Sequence, residues 1–381
     1  MEGLFGGNRE TVRSEKREQL RHLEIAADTA TSPLHPETNE DTLYFSQERG
    51  VFGVFDGIGG APAGDLASRA AARQLTKQAL EQPILHADSP EALKTANDVA
   101  NVFLADVEHP LQKNDVEAAC KTVMKRINIA LDTLTDNPSL QPTFMAYAEK
   151  KYKVKINPEE YSGRIRIKDA ARDLGTTVSL GKIWTTAEGD RKLTIAHIGD
   201  SAIYRLRGEH FDKLTVDDSF ITPLVAMGLL PSEEEYSKRT TGQPNAPDYS
   251  ELRISIDDIR KNKKASRTLL GLANYFALNN TSIAVNDIRH YVTQSMSANP
   301  YDAITPRVFT TDVQENDVFV ALTDGVIDNL THDEIRSLVE RKKDDPQQLT
   351  LLLKSYAMAR SKSDHVRAKQ DDITAIAVRV T

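Results

Sequence analysis

Cysteine is almost missing from this chain of 381 residues: Cys120 is the only one. A disulfide within the chain is thereby excluded, and a thiolate metal site has no ligand set to draw on. Cys120 itself falls in a helical pattern and is read as a small core residue. Also missing is any run of about 18 apolar residues, the length that crosses a bilayer. The polar segment Met1 to Glu24 holds no apolar core of a signal peptide. Glu2 stands where an N-myristoylated chain carries glycine. These absences lead us to expect a cytoplasmic protein without a membrane partner; an effector exported by a specialised secretion system would leave the same record. Basic charge is short as well. Lys and Arg number 48 against 56 Asp and Glu, for a net charge of −8 and a pI near 5.7. Nucleic-acid binders usually present a basic face, so nucleic acid is not an expected partner.

What is present is organised around Val51-Phe52-Gly53-Val54-Phe55-Asp56-Gly57-Ile58-Gly59-Gly60. Aromatic and β-branched residues ended by glycine read as a buried strand that delivers Asp56 to its own tip. Glycine beside the carboxylate lets the backbone approach a ligand, so the Gly57 carbonyl can serve as an oxygen donor next to Asp56. The same letters also fit an Asp-Gly turn in a hairpin. A dinucleotide loop fits worse, because Pro62 stands where its third glycine belongs.

Recurrence favours the metal reading. Glu40-Asp41 heads another strand, Thr323-Asp324-Gly325 ends an apolar run, Gly199-Asp200-Ser201 ends another, and Asp371-Asp372 opens the last strand. Two carboxylates at about 4 Å repel by about 4 kcal/mol at an effective dielectric of about 20. If these acidic ends converge, either several are protonated or a cation lies among them. Oxygen donors alone select Mg²⁺ or Mn²⁺ over zinc.

Asn39-Glu40-Asp41, Asp56-Gly57-Ile58-Gly59-Gly60, Gly175-Thr176-Thr177, Gly199-Asp200-Ser201, Thr323-Asp324-Gly325 and Asp371-Asp372-Ile373-Thr374 stand in the order and approximate spacing of a known family. Over residues 25 to 381 the chain resembles the metal-dependent Ser/Thr protein phosphatases of type 2C, in their bacterial-style branch. The resemblance implies an α+β fold: a four-layer α-β-β-α sandwich of two mainly antiparallel sheets flanked by helices. It implies Mg²⁺- or Mn²⁺-dependent hydrolysis of phosphoserine and phosphothreonine in proteins, with two ions and room for a third. Asp56 would bridge both ions, Asp324 and Asp371 would complete one site, and Glu40 with the Gly57 carbonyl the other. Asp200 would hold the third, weaker ion, and Asp41 would orient metal-bound water.

Several positions depart from the family pattern. Pro36 replaces an arginine that grips substrate phosphate, which leaves His35 or a basic group from elsewhere for that task; the simpler reading of His35 is an exposed loop histidine. Ile58 replaces a proton-donating histidine, Ala202 an arginine and Asp218 a histidine. A pseudophosphatase that binds without turnover, and a phosphatase of small metabolites, therefore stand as competing readings.

The expected organisation is a flexible leader over 1–22 and one phosphatase domain over 23–381, with insertions at about 82–173 and 231–300. Leu66, Ala70, Leu75 and Ala79 predict one face of a helix entered at Pro62. Residues around Gly199-Asp200-Ser201 predict a hairpin bend, and His197 in mid-strand a packed core histidine. The basic stretch Tyr147 to Lys168 reads as a solvated face. The second insertion, rich in Pro, Ser and Lys, reads as irregular and as the place for a protein partner.

Overall fold

Alternation along the short apolar runs decides the architecture. In Val51–Asp56 (β3), Val51 and Phe55 pack into one apolar cluster, while Phe52 and Val54 face the other way into a second. A strand buried on both faces needs a layer on each side. A computed structural model of the chain, which describes residues 23–58, 63–82, 90–298 and 304–381, supplies both. The expected leader and the Gly59, Gly60 and Pro62 turn lie outside the described residues.

Beyond β3 the strands are Leu23–Ala30 (β1), Asp41–Ser46 (β2), Gly175–Thr176 (β4), Val178–Thr185 (β5), Arg191–Ile198 (β6), Ala202–Arg207 (β7) and His210–Lys213 (β8). They continue as Arg253–Ser255 (β9), Ser282–Ala284 (β10), Met296–Ser297 (β11), Arg307–Asp312 (β12), Val318–Leu322 (β13) and Ile373–Val380 (β14). One five-stranded sheet has the order β1-β14-β13-β7-β8 and the other β12-β6-β5-β3-β2. Neighbouring strands in both are antiparallel. Phe52, Val54, Ile195, Phe319, Ile376 and Val378 fill the space between the sheets. Burying side chains of this size contributes about 1.5–3 kcal/mol each.

Helices Gly64–Arg73 and Lys113–Thr135 cover the outer face of the β3 sheet, with Cys120 buried among them. Helices His332–Lys342 and Pro346–Ser361 cover the outer face of the other. The result is the expected four-layer sandwich. His197 is fully buried in β6, where its Nε2 donates to the Val216 carbonyl at 3.1 Å and its Nδ1 lies 2.9 Å from the Ser179 hydroxyl. Burial lowers its pKa to about 4, so it stays a neutral packing histidine.

Three expectations need correction. The helix after the first Asp-Gly runs Gly64–Arg73, and it buries Ala67, Ser68, Ala71 and Ala72 rather than the face of Leu66 and Ala70. Small residues face the sheet because the helix lies close to it: the Ser68 hydroxyl is 2.9 Å from that of Thr42 on β2. The chain then turns, and a separate short helix, Lys77–Leu80, follows. Gly199-Asp200-Ser201 is not a hairpin bend, because β6 pairs with β5 and β12 in one sheet and β7 with β13 and β8 in the other. This segment carries the chain between sheets, with Gly199 at φ +105°, a conformation L side chains rarely adopt.

The third correction concerns the second long segment, which is not irregular. It folds around Ile254, Ile256, Ile259, Leu269, Ile283 and Ile288. Isoleucine and leucine are spaced thinly among polar residues there and the helices are short, so no apolar period builds up. In the first long segment, helix Lys113–Thr135 belongs to the sandwich's own outer layer. A following pair, Gln141–Tyr152 and Tyr161–Ala171, closes a small core of Phe144, Ala148, Ile156 and Ile167.

Candidate metal centre

Antiparallel pairing brings the acidic ends together. Asp41 starts β2 and Asp56 ends β3, and the register sets them directly opposite one another. In the other sheet, Asp324 follows the end of β13 while Asp371 precedes the start of β14, and these strands are antiparallel neighbours as well. The crossing from β6 to β7 adds Asp200. Chain direction alone therefore gathers five carboxylates at one edge of the sandwich. A direct link ties the sheets there: the Thr323 hydroxyl donates to Asp41 Oδ2 at 2.8 Å.

Two glycines are required by close approach. A Cβ on Gly325 would lie 1.8 Å from the Asp372 carbonyl oxygen, and one on Gly57 would lie 2.3 Å from that of Gly64. Each glycine lets the backbone carrying one acidic group press against another part of the site. The Asp56 carbonyl is fixed by the Thr177 amide and the Thr176 hydroxyl, both at 2.8 Å.

The electrostatics of the site follow from this convergence. Burial, then repulsion from Asp324, Asp41, Asp371 and Asp200, pushes the Asp56 carboxyl well above the ordinary range. Asp200 is raised by burial and by Asp324. Glu40 is pushed up to about 7, by burial first, with His35 opposing and Asp372 and Asp371 reinforcing. Asp56, Asp200, Asp324 and Asp371 line a cavity of about 650 Å³ together with Ile58 and Thr177. Asp200 Oδ1 and Asp324 Oδ1 are buried there without a hydrogen-bond partner. Orphaned carboxylate oxygens at a mutually repelling, all-oxygen site fit a hard divalent cation.

The acidic pair at the start of β14 divides its labour. Asp372 accepts the Ser32 and Glu40 amides, each at 2.6 Å, so it pins the β1–β2 loop and positions Glu40. His35 donates from Nδ1 to the Thr38 carbonyl at 2.9 Å and sits beside Glu40 and Asp372 rather than in the cavity lining. Asp218 accepts the Gly199 amide at 3.0 Å and Arg307 at 2.7 Å, which fixes the segment carrying Asp200. Ala202 is fully buried in the packing of β7.

Sequence reasoning misses Lys369. Its ammonium pairs with Asp324, with Asp371 at 2.9 Å and with Asp328 at 3.1 Å. Asp328 in turn accepts His290 Nδ1 at 2.6 Å and Arg289 at 3.1 Å, both from the second long segment, whose residues Tyr291 to Ser295 also line the cavity. The available signal is a lysine two positions before Asp371; its other two partners, Asp324 and Asp328, are distant in sequence.

A family model described as protein phosphatase 2C matches residues 36–344. The fold is similar to a bacterial serine phosphatase, at 18% identity and a TM-score of 0.54 over 94% of this chain and 98% of that one. It is also similar to a serine/threonine phosphatase from Staphylococcus aureus, at 18% identity and a TM-score of 0.51 over 94% and 96% of the two chains. A PPM Ser-Thr phosphatase from Mycobacterium smegmatis gives 18% and 0.50 over 94% and 98%. No curated protein matches the sequence. With the motif order, the sandwich and the acidic edge agreeing, the family match over most of its length assigns this chain to the protein phosphatase 2C family.

Proposed function

We propose that the chain hydrolyses phosphoserine and phosphothreonine in proteins with the help of Mg²⁺ or Mn²⁺, acting in the cytoplasm. The observation that carries this reading is the convergence of Asp56, Asp200, Asp324 and Asp371 on one cavity, with two of their buried oxygens unpartnered. Asp56 is assigned to both ions, Asp324 and Asp371 to one, Glu40 and the Gly57 carbonyl to the other, and Asp200 to a third. When bound, such ions supply a water acidic enough to attack phosphorus in line and charge to offset the phosphoryl oxygens.

The protein groups do the positioning. Asp41, held at one oxygen by Thr323, keeps its orientation and is assigned to orienting the attacking water. Ile58 lines the cavity and has no proton to give the leaving group. Tyr291, 56% exposed at the lining, offers a surface for residues flanking the phosphorylated side chain of a protein substrate. The segment 231–300 is assigned to partner or substrate choice, since its residues Tyr291 to Ser295 border the same cavity as the acidic groups. Among the described residues no helix is long and apolar enough to cross a membrane.

Hydrolysis of a phosphothreonine peptide, compared in Mn²⁺, in Mg²⁺ and after chelation, tests the reading. Turnover that requires a divalent ion is expected. Ion binding without turnover of the peptide or of small phosphate esters would instead identify a regulatory binding module. Turnover confined to small metabolite phosphates would move the substrate class.

A further inference from the structure

Lys369 stands out because its position is built from both ends. Its backbone is clamped by Asn329, whose Oδ1 accepts the Lys369 amide at 3.1 Å and whose Nδ2 donates to the Lys369 carbonyl at 2.9 Å. Its side chain is 19% exposed and reaches three carboxylates. Two of them, Asp324 and Asp371, belong to the proposed ion site. The third, Asp328, is held by Arg289 and His290. Among the described residues lining the cavity, Lys369 is the sole Lys or Arg.

We propose that Lys369 is an internal counter-cation: its ammonium holds Oδ2 of Asp324 and of Asp371 while Asp324 Oδ1 stays open, so that a divalent ion drawing on these carboxylates competes with it for their charge. The inference rests on the metal-centre reading above. An ammonium and an ion that share a carboxylate divide its charge and repel when close, and an ion that takes both Asp324 oxygens needs the Oδ2 that Lys369 holds. On displacement the ammonium keeps Asp328 as its anchor. The segment bearing Arg289 and His290 thereby gains a hold on metal loading, because it sets where Asp328 waits. Lys369 thus acts as a positioning residue that tunes affinity for the ion.

The test is calorimetric titration of Mn²⁺ into the metal-free full chain, as wild type, Lys369→Met and Lys369→Arg. The Asn329 clamp uses backbone atoms of residue 369 only, so the substitutions leave it in place. Lys369→Met is expected to bind Mn²⁺ at least about tenfold more tightly than wild type, and Lys369→Arg no more tightly. Melting adds a second readout: in chelator Lys369→Met melts below wild type, and Mn²⁺ raises its melting temperature by more. If Lys369→Met fails to fold, Lys369→Gln is titrated in its place with the same expectation. Equal or weaker Mn²⁺ binding in the neutral variant overturns the counter-cation role while the metal centre stands. Absence of Mn²⁺ binding in every form overturns the metal centre itself, and this inference with it.

Discussion

Asp56→Asn is expected to lose metal-dependent hydrolysis by about 10³-fold or more, and to melt no lower than wild type when both are in chelator. Both halves follow from the same environment. Asp56 is buried and surrounded by Asp324, Asp41, Asp371 and Asp200, and its carboxyl is raised well above its ordinary range by burial and by that repulsion. A carboxylate that repels its neighbours opposes folding until a cation arrives, so the neutral amide relieves the metal-free chain. The amide retains one oxygen donor and loses the charge on which two ion sites are assigned to depend. A ligand lost from a single site would weaken one ion; Asp56 faces Asp324 and Asp371 of one assigned site and adjoins Gly57, whose carbonyl is assigned to the other. Initial rates on a phosphothreonine peptide and a melting curve in chelator check the two halves. Retained turnover would remove Asp56 from its bridging role.

The second large effect concerns stability. Arg367→Met is expected to destabilise the fold by about 3–5 kcal/mol, the cost of removing one partner from a buried ionic group. Arg367 is 1% exposed. It donates to the carbonyls of Ile327 at 2.9 Å, Asp328 at 3.2 Å and Leu330 at 3.3 Å, at and just beyond the end of the short helix carrying Asp324. On its other side it pairs with Glu233 at 2.9 Å and Asp248 at 3.4 Å, from the second long segment. Methionine keeps the aliphatic bulk and leaves those carbonyls and carboxylates without their cation. Chemical denaturation measures the loss. Limited proteolysis is expected to show cleavage within 231–300 earlier than in wild type, because one of the ionic bridges between that segment and the sandwich is gone, leaving that of Arg289 and His290 to Asp328. A change below about 1 kcal/mol would place these charges in solvent contact instead.

How much of the fold and site is legible in the residues alone depends on whether the determining contacts are local. The β3 run and its Asp-Gly end are readable because burial of Val51 to Phe55 and the stop at Gly57 are written in consecutive residues. Asp371 is readable for the same reason, although the family match ends at residue 344. The β6–β7 crossing is not, because a hairpin and a sheet change share the same local letters. The difference lies in β12 and β13, more than 100 residues on, which claim the two strands for different sheets. The buried face of the Gly64–Arg73 helix is also hidden, since leucine outweighs alanine in an apolar pattern while proximity to β2 selects Ala67 and Ala71. Lys369 carries no local signal beyond its charge and its place two residues before Asp371. Its surroundings are set by Asp324, 45 residues earlier, and by Asp328, which Arg289 and His290 hold in place.

The same distinction applies to the arginine missing at position 36. His35 is its neighbour in sequence, and in the fold it serves the β1–β2 loop by bonding the Thr38 carbonyl. Lys369, far from Pro36 in sequence, is the residue that brings positive charge to the cavity.

The most direct test of the metal centre is anomalous diffraction at the manganese edge from crystals of the full chain grown with Mn²⁺. The expected result is a peak among Asp56, Asp324 and Asp371, and a second near Asp56, Glu40 and the Gly57 carbonyl, with the Lys369 ammonium withdrawn from Asp324 and Asp371. Absence of any peak at the acidic edge, or a single peak confined to His35, Glu40 and Asp372, would contradict it.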